Sequence, residues 1–343
     1  MGSPMRPALA ETLNECAGHL LERHLAHTKE WFPHELVPWD LGRRYVRGQA
    51  PPPEGPSLPD GVLSALFVNL LTEDNLPHYF HNIASAFGTE SALAEWSRRW
   101  AAEEQRHAIV LRDWISVTRM LDLFALERAR MRHVSAGFDP GIRDLTMTDG
   151  IVYLTLQELA TRISHWNTGR CLDESGAAVM KRVAADENLH FLFYRDLTTA
   201  ALNSDPSGTV KAIDRQVTCF QMPGSSMDGF TAHAVSIAAA GIYDFRVHYE
   251  QVLLPVVMTH WRLESIEGLD GDAEHAREHL VCWIARMRRI ASRMEAQSAE
   301  VRDGRPRVSP ALADGADGCA TLAGLDASQG ATKPPVRAGR PAF

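Results

Sequence analysis

At residues 102–107 the chain reads Ala-Glu-Glu-Gln-Arg-His, and at residues 185–190 it reads Ala-Asp-Glu-Asn-Leu-His. Both stretches contain the spacing Glu-x-x-His, first as Glu104 and His107 and then as Glu187 and His190. Residues three positions apart lie on one face of an α-helix, so each pair can direct a carboxylate and an imidazole towards one point. A single pair of this kind is weak evidence, because an ordinary half-buried Glu–His pair has the same spacing.

A glutamate in an apolar helical segment precedes each pair at a similar distance. Glu73 comes 31 residues before Glu104, and Glu158 comes 29 residues before Glu187. A ferritin-like four-helix bundle takes its ligands in this way, with a glutamate from each of two helices and Glu-x-x-His from each of the other two. The repeat therefore predicts an all-α fold of this kind and a di-metal site formed by Glu73, Glu104, His107, Glu158, Glu187 and His190.

The charge of this ligand set supports the same interpretation. Four carboxylates cannot be buried together without compensating positive charge, and two ferrous ions supply it. Imidazole and carboxylate suit iron, although manganese or a mixed pair stays an alternative because ligand type does not determine the ion. Taken singly, Glu73 could be a surface carboxylate beside Asp74, and Glu158 could be a core glutamate paired with Arg162. The matching offsets favour the metal site over two coincidences.

The rest of the sequence is typical of a helical protein without a membrane span. Apolar residues recur at helical spacing between Pro- and Gly-rich loops, and no run alternates with period two, which predicts additional helices flanking the bundle. The formal charge of −8 disfavours a general nucleic-acid binder. The longest apolar runs, at 62–71 and 252–258, are shorter than the ~20 residues that cross a bilayer.

The predicted domain covers residues 1–300. From residue 301 the chain is rich in Gly, Ala, Pro and Arg and poor in large apolar side chains, so residues 301–343 are predicted to be a disordered tail. The five cysteines form no C-x-x-C pair, which favours reduced thiols in the cytoplasm. The N-terminus lacks the pattern of a signal peptide, which agrees with a cytoplasmic location.

Four segments of the chain resemble the motifs of one family, the soluble acyl-acyl carrier protein desaturases, and its actinobacterial members in particular. The resemblance runs from about Glu15 to Ala299 and implies that the six residues above are iron ligands. The segments that carry it are Leu71–Pro77, Ala102–His107, Gln157–Thr161 together with Ser164–Thr168, and Ala185–His190.

The resemblance also implies roles for three further residues. Thr161 would face the metals one turn after Glu158 and donate a hydrogen bond or a proton to dioxygen, unless its hydroxyl bonds back to its own helix. Trp31 resembles a tryptophan that joins a ligand histidine to the aspartate before the second Glu-x-x-His, here His107 and Asp186. Asp186 can accept the outer N–H of that histidine, which would fix its tautomer. The resemblance to the family implies an electron path through the same contact. Trp31 as simple core packing is the alternative.

The resemblance implies an enzyme that uses dioxygen to introduce a cis double bond into a saturated acyl chain on acyl carrier protein. Electrons would come from ferredoxin or a similar donor, and a homodimer is implied. Because the carrier protein is acidic, we expect a basic docking patch. The candidates are Arg43, Arg44 and Arg47, or Arg128, Arg130 and Arg132.

Two other functions share the predicted metal site. One is a related di-iron oxygenase that hydroxylates or N-oxidises a carrier-bound or free metabolite. The other is a non-catalytic iron-binding or storage protein of ferritin-like fold. Gln105 and the pair Asn188-Leu189 depart from residues common in the resembled family, and because neither changes a ligand type, they bear on substrate preference only.

Overall fold

The protein is helical in every part that the structure describes. In the computed structural model, residues 7–46, 58–137 and 146–302 are described, and no strand occurs among them. The α-helices are α1 Pro7–His27, α2 Pro33–Leu36, α3 Asp60–Asp74, α4 Leu76–Phe87, α5 Ala92–Thr118, α6 Leu123–Ala136, α7 Met147–Gly169, α8 Glu174–Ser204, α9 Pro206–Thr218, α10 Phe230–Ala239, α11 Phe245–His248 and α12 Gly271–Arg302. Short 3₁₀ turns span Trp39–Leu41, Pro223–Ser226 and Leu263–Ser265.

Four long helices form the central bundle. Helix α3 packs against α5 and α7, and α8 also packs against α5 and α7, so the four helices close a ring. A short loop joins α7 to α8, as expected for antiparallel neighbours in a bundle. Helix α1 crosses α5 and α8 on the outside, and α9 covers α7 and α8. The predicted all-α, ferritin-like bundle with flanking helices is therefore confirmed.

Side-chain caps mark the start of three of the four bundle helices, α5, α7 and α8. The Ser91 hydroxyl accepts the backbone N–H of Ala94 at the start of α5, and the Asp173 carboxylate caps α8 in the same way. Thr146 and Asp149 form a capping box at the start of α7, each side chain bonding to the other's backbone N–H. These caps satisfy amide groups that a helix leaves without partners at its first turn.

The apolar core is divided by the polar centre of the bundle into three clusters. One lies between α7, α9 and α12, a second between α3, α5, α6 and α10, and a third between α1, α4, α5 and α8. The largest side chains with almost no exposed surface belong to the second and third clusters: Trp96, Trp114, Phe193 and Tyr194. The tight packing around the centre holds the helices that carry the predicted ligands at fixed positions.

A π-helix spans Tyr249–His260. It contains Pro255, which has no N–H to donate and cannot continue an α-helical hydrogen-bond ladder. Helix α12 ends at Arg302, and the predicted disordered tail beyond it lies outside the described residues, as does Arg47. Among the helices that are described, none combines the length and the apolar character that crossing a membrane requires.

Gly61 marks the closest approach between α3 and α10. A Cβ atom at this position would lie 2.3 Å from the Ser236 carbonyl oxygen and 2.5 Å from the Ala240 Cβ atom. We expect Gly61→Ala to destabilise the protein by about 1–3 kcal/mol through overpacking. Gly150→Ala is the control, because this helical glycine has open space around its Cβ position and alanine favours helices by about 1 kcal/mol. The unfolding temperature should fall for Gly61→Ala and rise for Gly150→Ala. Equal shifts in the two variants would contradict the close contact at Gly61.

Candidate metal centre

The structure brings all six predicted ligands together at the middle of the bundle. Glu73 lies near the end of α3, the two Glu-x-x-His pairs lie on α5 and α8, and Glu158 lies on α7. The six residues form two overlapping groups whose donor atoms lie within 4.8 Å of one another. One group is Glu73, Glu104, His107 and Glu187, and the other is Glu104, Glu158, Glu187 and His190. Glu104 and Glu187 belong to both groups, so each could supply an oxygen to both metals.

Both histidines point the same ring atom into the centre. His107 Nδ1 lies 3.3 Å from a Glu104 oxygen, 3.4 Å from Glu187 and 3.8 Å from Glu73. His190 Nδ1 lies 2.8 Å from Glu104 and 3.7 Å from Glu158. Donor atoms that share a metal at about 2.1 Å lie roughly 3–4 Å apart, so these separations suit one metal per group.

Burial makes the centre electrostatically demanding. Each of the six residues is at most 6% exposed. Burial and the neighbouring Glu104 raise the pKa of Glu73 well above its usual value, and burial, Glu104 and Glu158 do the same for Glu187. Burial also acts to raise the pKa of Glu104, but His107 and His190 outweigh it and hold that pKa low. The carboxylates repel one another in a space that excludes water, so cations between them would relieve the repulsion.

Several metal-binding atoms in the centre lie close to one another but make no well-aligned hydrogen bond among the described residues. They include the Nδ1 atoms of His107 and His190 and one oxygen each of Glu104, Glu158 and Glu187. Buried polar atoms without partners are costly, so their convergence on one place calls for a bound group. The donor set, four carboxylates and two imidazole nitrogens, fits two divalent cations and includes the ligand types that iron accepts.

The outer nitrogen of His107 faces the residues that the resemblance implied. His107 Nε2 lies 3.5 Å from Asp186 Oδ2, and the Trp31 indole N–H donates to the same oxygen at 2.8 Å. Arg106 bonds to Asp186 at 3.4 Å, and Arg182 also donates to it. Trp31 is 7% exposed and Asp186 is 1% exposed. The structure therefore places the Trp31 indole nitrogen and His107 Nε2 beside the same oxygen of Asp186, so that the three residues form one contact series.

The outer nitrogen of His190 has a matching set of partners that the sequence analysis did not predict. His190 Nε2 and His24 Nε2 each lie 2.9 Å from Glu103 Oε2, and Arg99 Nε donates to the other oxygen at 2.6 Å. The sequence does contain a pattern that indicates this set: Arg99 precedes Glu103 by four residues, just as Arg182 precedes Asp186 by four. The repeat thus extends upstream of each Glu-x-x-His pair.

Two more side chains bind the carboxylates of the centre. The Trp100 indole N–H donates to Glu158 at 3.0 Å, and His165 Nε2 lies 3.0 Å from Glu73. His165 is fully buried on α7, and burial lowers its pKa to about 3. A neutral His165 with its proton on Nε2 donates to Glu73, which orients this carboxylate. The sequence analysis singled out neither Trp100 nor His165, because each binds a carboxylate that lies on another helix.

A cavity of about 1040 Å³ reaches the centre from one side. Glu73, Glu104 and Glu187 lie at its inner end, and the partly exposed Lys211 and Arg215 also line it. Apolar side chains form much of the wall between: Leu9, Leu76, Ile83, Phe87, Trp100, Met147 and Leu154. The volume lies at the upper end of the range for small-molecule sites, which leaves room for a long apolar ligand.

Thr161 lines this cavity, but its hydroxyl is already engaged. It donates to the Gln157 carbonyl oxygen at 2.6 Å and accepts the Gln157 side-chain N–H at 2.9 Å. This bond to its own helix is the alternative that the sequence left open for Thr161. A role as a donor towards the centre requires the hydroxyl to rotate away from that carbonyl.

Neither predicted basic patch lines the cavity within the described part of the chain. Arg43 and Arg44 lie on an exposed segment whose carbonyls bind Arg119. On α6, Arg130 pairs with Glu127 and Arg132 pairs with Asp228. The exposed cations beside the cavity are instead Lys211 and Arg215 of α9, which the sequence analysis did not single out.

Comparisons with known proteins agree with this geometry. A family model described as fatty acid desaturase matches residues 6–308. DesA1 of Mycobacterium tuberculosis, provisionally assigned as an acyl-[acyl-carrier-protein] desaturase, is 39% identical over 296 residues, which cover 84% of this chain and 87% of DesA1. Stearoyl-[acyl-carrier-protein] 9-desaturase 6 of Arabidopsis thaliana is 33% identical over 263 residues, covering 72% and 67% of the two chains.

A solved structure shows the same fold. The X-ray structure of DesA2 from Mycobacterium tuberculosis, also provisionally assigned as an acyl-ACP desaturase, matches with a TM-score of 0.62 and 25% sequence identity. The match covers 76% of this chain and 97% of DesA2. The resemblance stated from the motifs is therefore confirmed by sequence and by structure.

Proposed function

Since the chain belongs to the fatty acid desaturase family, we propose that it introduces a cis double bond into a saturated acyl chain carried on acyl carrier protein. The reaction consumes one dioxygen, two external electrons and two protons, removes two hydrogens from adjacent methylene groups, and releases two waters. The observation that carries this proposal is the convergence of four carboxylates and two imidazoles, of which the Glu73, Glu104 and Glu187 carboxylates line an apolar-walled cavity.

The two metals proposed for the centre are iron, held by Glu73, Glu104, His107 and Glu187 on one side and by Glu104, Glu158, Glu187 and His190 on the other. Iron supplies the oxidising power that an unactivated C–H bond requires and that side chains lack. The protein's part is to hold its six ligands at fixed positions. Trp100 and His165 orient Glu158 and Glu73 through the hydrogen bonds described above, and burial excludes water from the reaction.

The cavity is proposed to bind the acyl chain. Its apolar wall, formed by α4, α5 and α7, would hold methylene groups beside Glu73, Glu104 and Glu187. Which carbons lie beside the centre depends on the depth to which the chain enters, and this determines the position of the double bond. Thr161 is proposed to donate a proton towards the centre after its hydroxyl leaves the Gln157 carbonyl.

The contact series Trp31, Asp186 and His107 is proposed to carry electrons from ferredoxin or a similar donor. Trp31 is the outermost of the three, and the Arg106 and Arg182 side chains lie over its ring. We also propose that the protein is cytoplasmic. The family resemblance implies a homodimer, which we propose as its assembly.

Docking of the acidic carrier protein is proposed beside the exposed cations of α9. Lys211 lies at the cavity and pairs with Asp270 at 3.1 Å on the surface. We expect Lys211→Glu to raise KM for the carrier-bound substrate about threefold to fivefold, with little change in kcat, and the effect to shrink at high salt. Arg132→Glu on α6 is the matched control. A larger effect of the α6 variant would place docking there.

Product analysis tests the proposed function. The protein is loaded with ferrous iron without oxygen, then given ferredoxin, its reductase, oxygen and stearoyl- or palmitoyl-carrier protein. An acyl chain lighter by two hydrogens supports desaturation, whereas a chain heavier by one oxygen would identify an oxygenase. Binding of many irons per chain without a requirement for the electron donor would identify a storage protein.

A further inference from the structure

Side-chain nitrogens surround both oxygens of the Glu103 carboxylate. His24 Nε2 and His190 Nε2 each lie 2.9 Å from Oε2, and Arg99 bonds to Oε1. His24 and Glu103 are 4% and 2% exposed. The Arg99 guanidinium can only donate, and the two imidazole nitrogens share the other oxygen, so Glu103 is the hydrogen-bond acceptor of this group.

A carboxylate that accepts from one ring nitrogen favours the tautomer with the proton on that nitrogen. With the His190 proton on Nε2 towards Glu103, the Nδ1 lone pair is left free on the side where Nδ1 lies 2.8 Å from Glu104 and 3.7 Å from Glu158. That lone pair is what a metal in the second group needs. Without His24, Glu103 would lose one of the two donors on Oε2 and could rotate away from His190.

We propose that His24 is a positioning residue for the metal site of Glu104, Glu158, Glu187 and His190: it holds Glu103, and Glu103 holds His190. The proposal rests on the proposed function only in that the site binds iron. It deepens that function, because it assigns His24 to one of two metals that share bridging ligands.

The other metal site has its own outer donor from the same segment. Trp31, seven residues after His24, donates to Asp186, which faces His107. The segment from the end of α1 to Trp31 therefore supports both ligand histidines from one side of the bundle. This arrangement predicts that variants at the two positions affect different metals.

A hollow of about 250 Å³ lies between α1 and α8, with His24 in its wall. Leu20, His27 and Phe193 line it too. His24 Nδ1 has no hydrogen-bond partner among the described residues. A small molecule that enters this hollow could therefore occupy the space left by a truncated His24 side chain.

Anaerobic titration with ferrous iron of the full chain tests the proposal. We expect His24→Leu to weaken one of two sites about tenfold, at the lower end of the range for outer partners of a ligand, and to leave the other unchanged. His24→Gln should retain both affinities, because its amide can donate from the place of Nε2. His27→Leu is the matched control, since exposed His27 lines the same hollow and binds the Arg23 carbonyl, not Glu103.

A spectroscopic signature separates positioning from general damage. In the ⁵⁷Fe Mössbauer spectrum, His24→Leu should change one of the two iron signals, and Trp31→Phe should change the other. The unfolding temperature of each metal-free variant checks that the fold is retained. Added imidazole should restore the weakened site in His24→Gly but not in Glu103→Ala, which lacks the carboxylate.

Different results overturn the two proposals. Equal affinities in wild type and His24→Leu, or an equal loss at both sites, would refute the role of His24 while desaturation by the wild type still stood. Two tightly bound irons without desaturation would refute the proposed function and leave the His24 effect on one site intact. A wild-type chain that binds no iron would overturn both.

Discussion

Glu104→Ala is expected to abolish tight binding of both irons and to reduce desaturation at least about 100-fold. Glu104 contributes to both ligand groups and contacts both histidines, so its loss removes a shared ligand from each metal. Changes to outer partners of a ligand already cost about 10–100-fold in metal affinity or activity, and loss of a bridging ligand should exceed that range. Iron content per chain and product analysis measure the two effects.

Glu95→Ala on the same helix is the matched control for this variant. Glu95 is exposed in the first turn of α5 and belongs to neither ligand group. It should retain two irons and full activity. If Glu104→Ala also retained two irons per chain, the metals would lie elsewhere and the proposed centre would be wrong.

Glu187→Gln is expected to reverse the order of stability between the metal-free and iron-loaded proteins. In the metal-free protein, burial, Glu104 and Glu158 raise the pKa of Glu187 above its ordinary value of 4.5. A neutral amide avoids this repulsion, so the variant should be more stable than wild type by about 1–3 kcal/mol near pH 8. With ferrous iron in excess, wild type should become the more stable, since only its intact site gains the binding energy.

The pH dependence of the stability of the metal-free protein determines the direction of this effect. A carboxyl group whose pKa is raised by folding binds its proton more tightly in the folded state. The folded state is then favoured below pH 4.5, and this contribution falls as the pH rises towards the raised pKa. The advantage of Glu187→Gln should therefore be small near pH 5 and grow with pH.

Unfolding in denaturant at several pH values, with and without ferrous iron, measures both effects. Glu174→Gln is the control, because Glu174 is exposed in the first turn of the same helix. Glu174→Gln should leave the gain in stability on adding ferrous iron unchanged. A metal-free Glu187→Gln protein that is less stable than wild type at pH 8 would show that Glu187 is compensated without metal.

Much of the candidate centre could be predicted because its ligand pairs are local. Glu104 and His107 share a helix face through their spacing alone, and so do Glu187 and His190. Glu73 and Glu158 were found because they precede these pairs at matching distances. The bundle fold followed from the number and order of these ligands, since four helices are the simplest arrangement that brings them together.

Contacts between helices could not be predicted in the same way. The residue before the glutamate of each Glu-x-x-His pair faces the histidine of the other pair, so that Glu103 binds His190 and Asp186 faces His107. Spacing within one helix does not show this exchange. His24 and His165 were missed for the same reason, since each acts on a carboxylate of a different helix.

The sequence by itself determined the helical class, the six candidate ligands and their division into two similar halves, because these depend on spacing along single helices. Tertiary structure alone decided which carboxylate orients which histidine, that the Thr161 hydroxyl bonds to Gln157, and that Lys211 lies beside the cavity. These features depend on how the helices pack against one another. Packing is set by the summed contacts of residues distant in the chain, which no local pattern records.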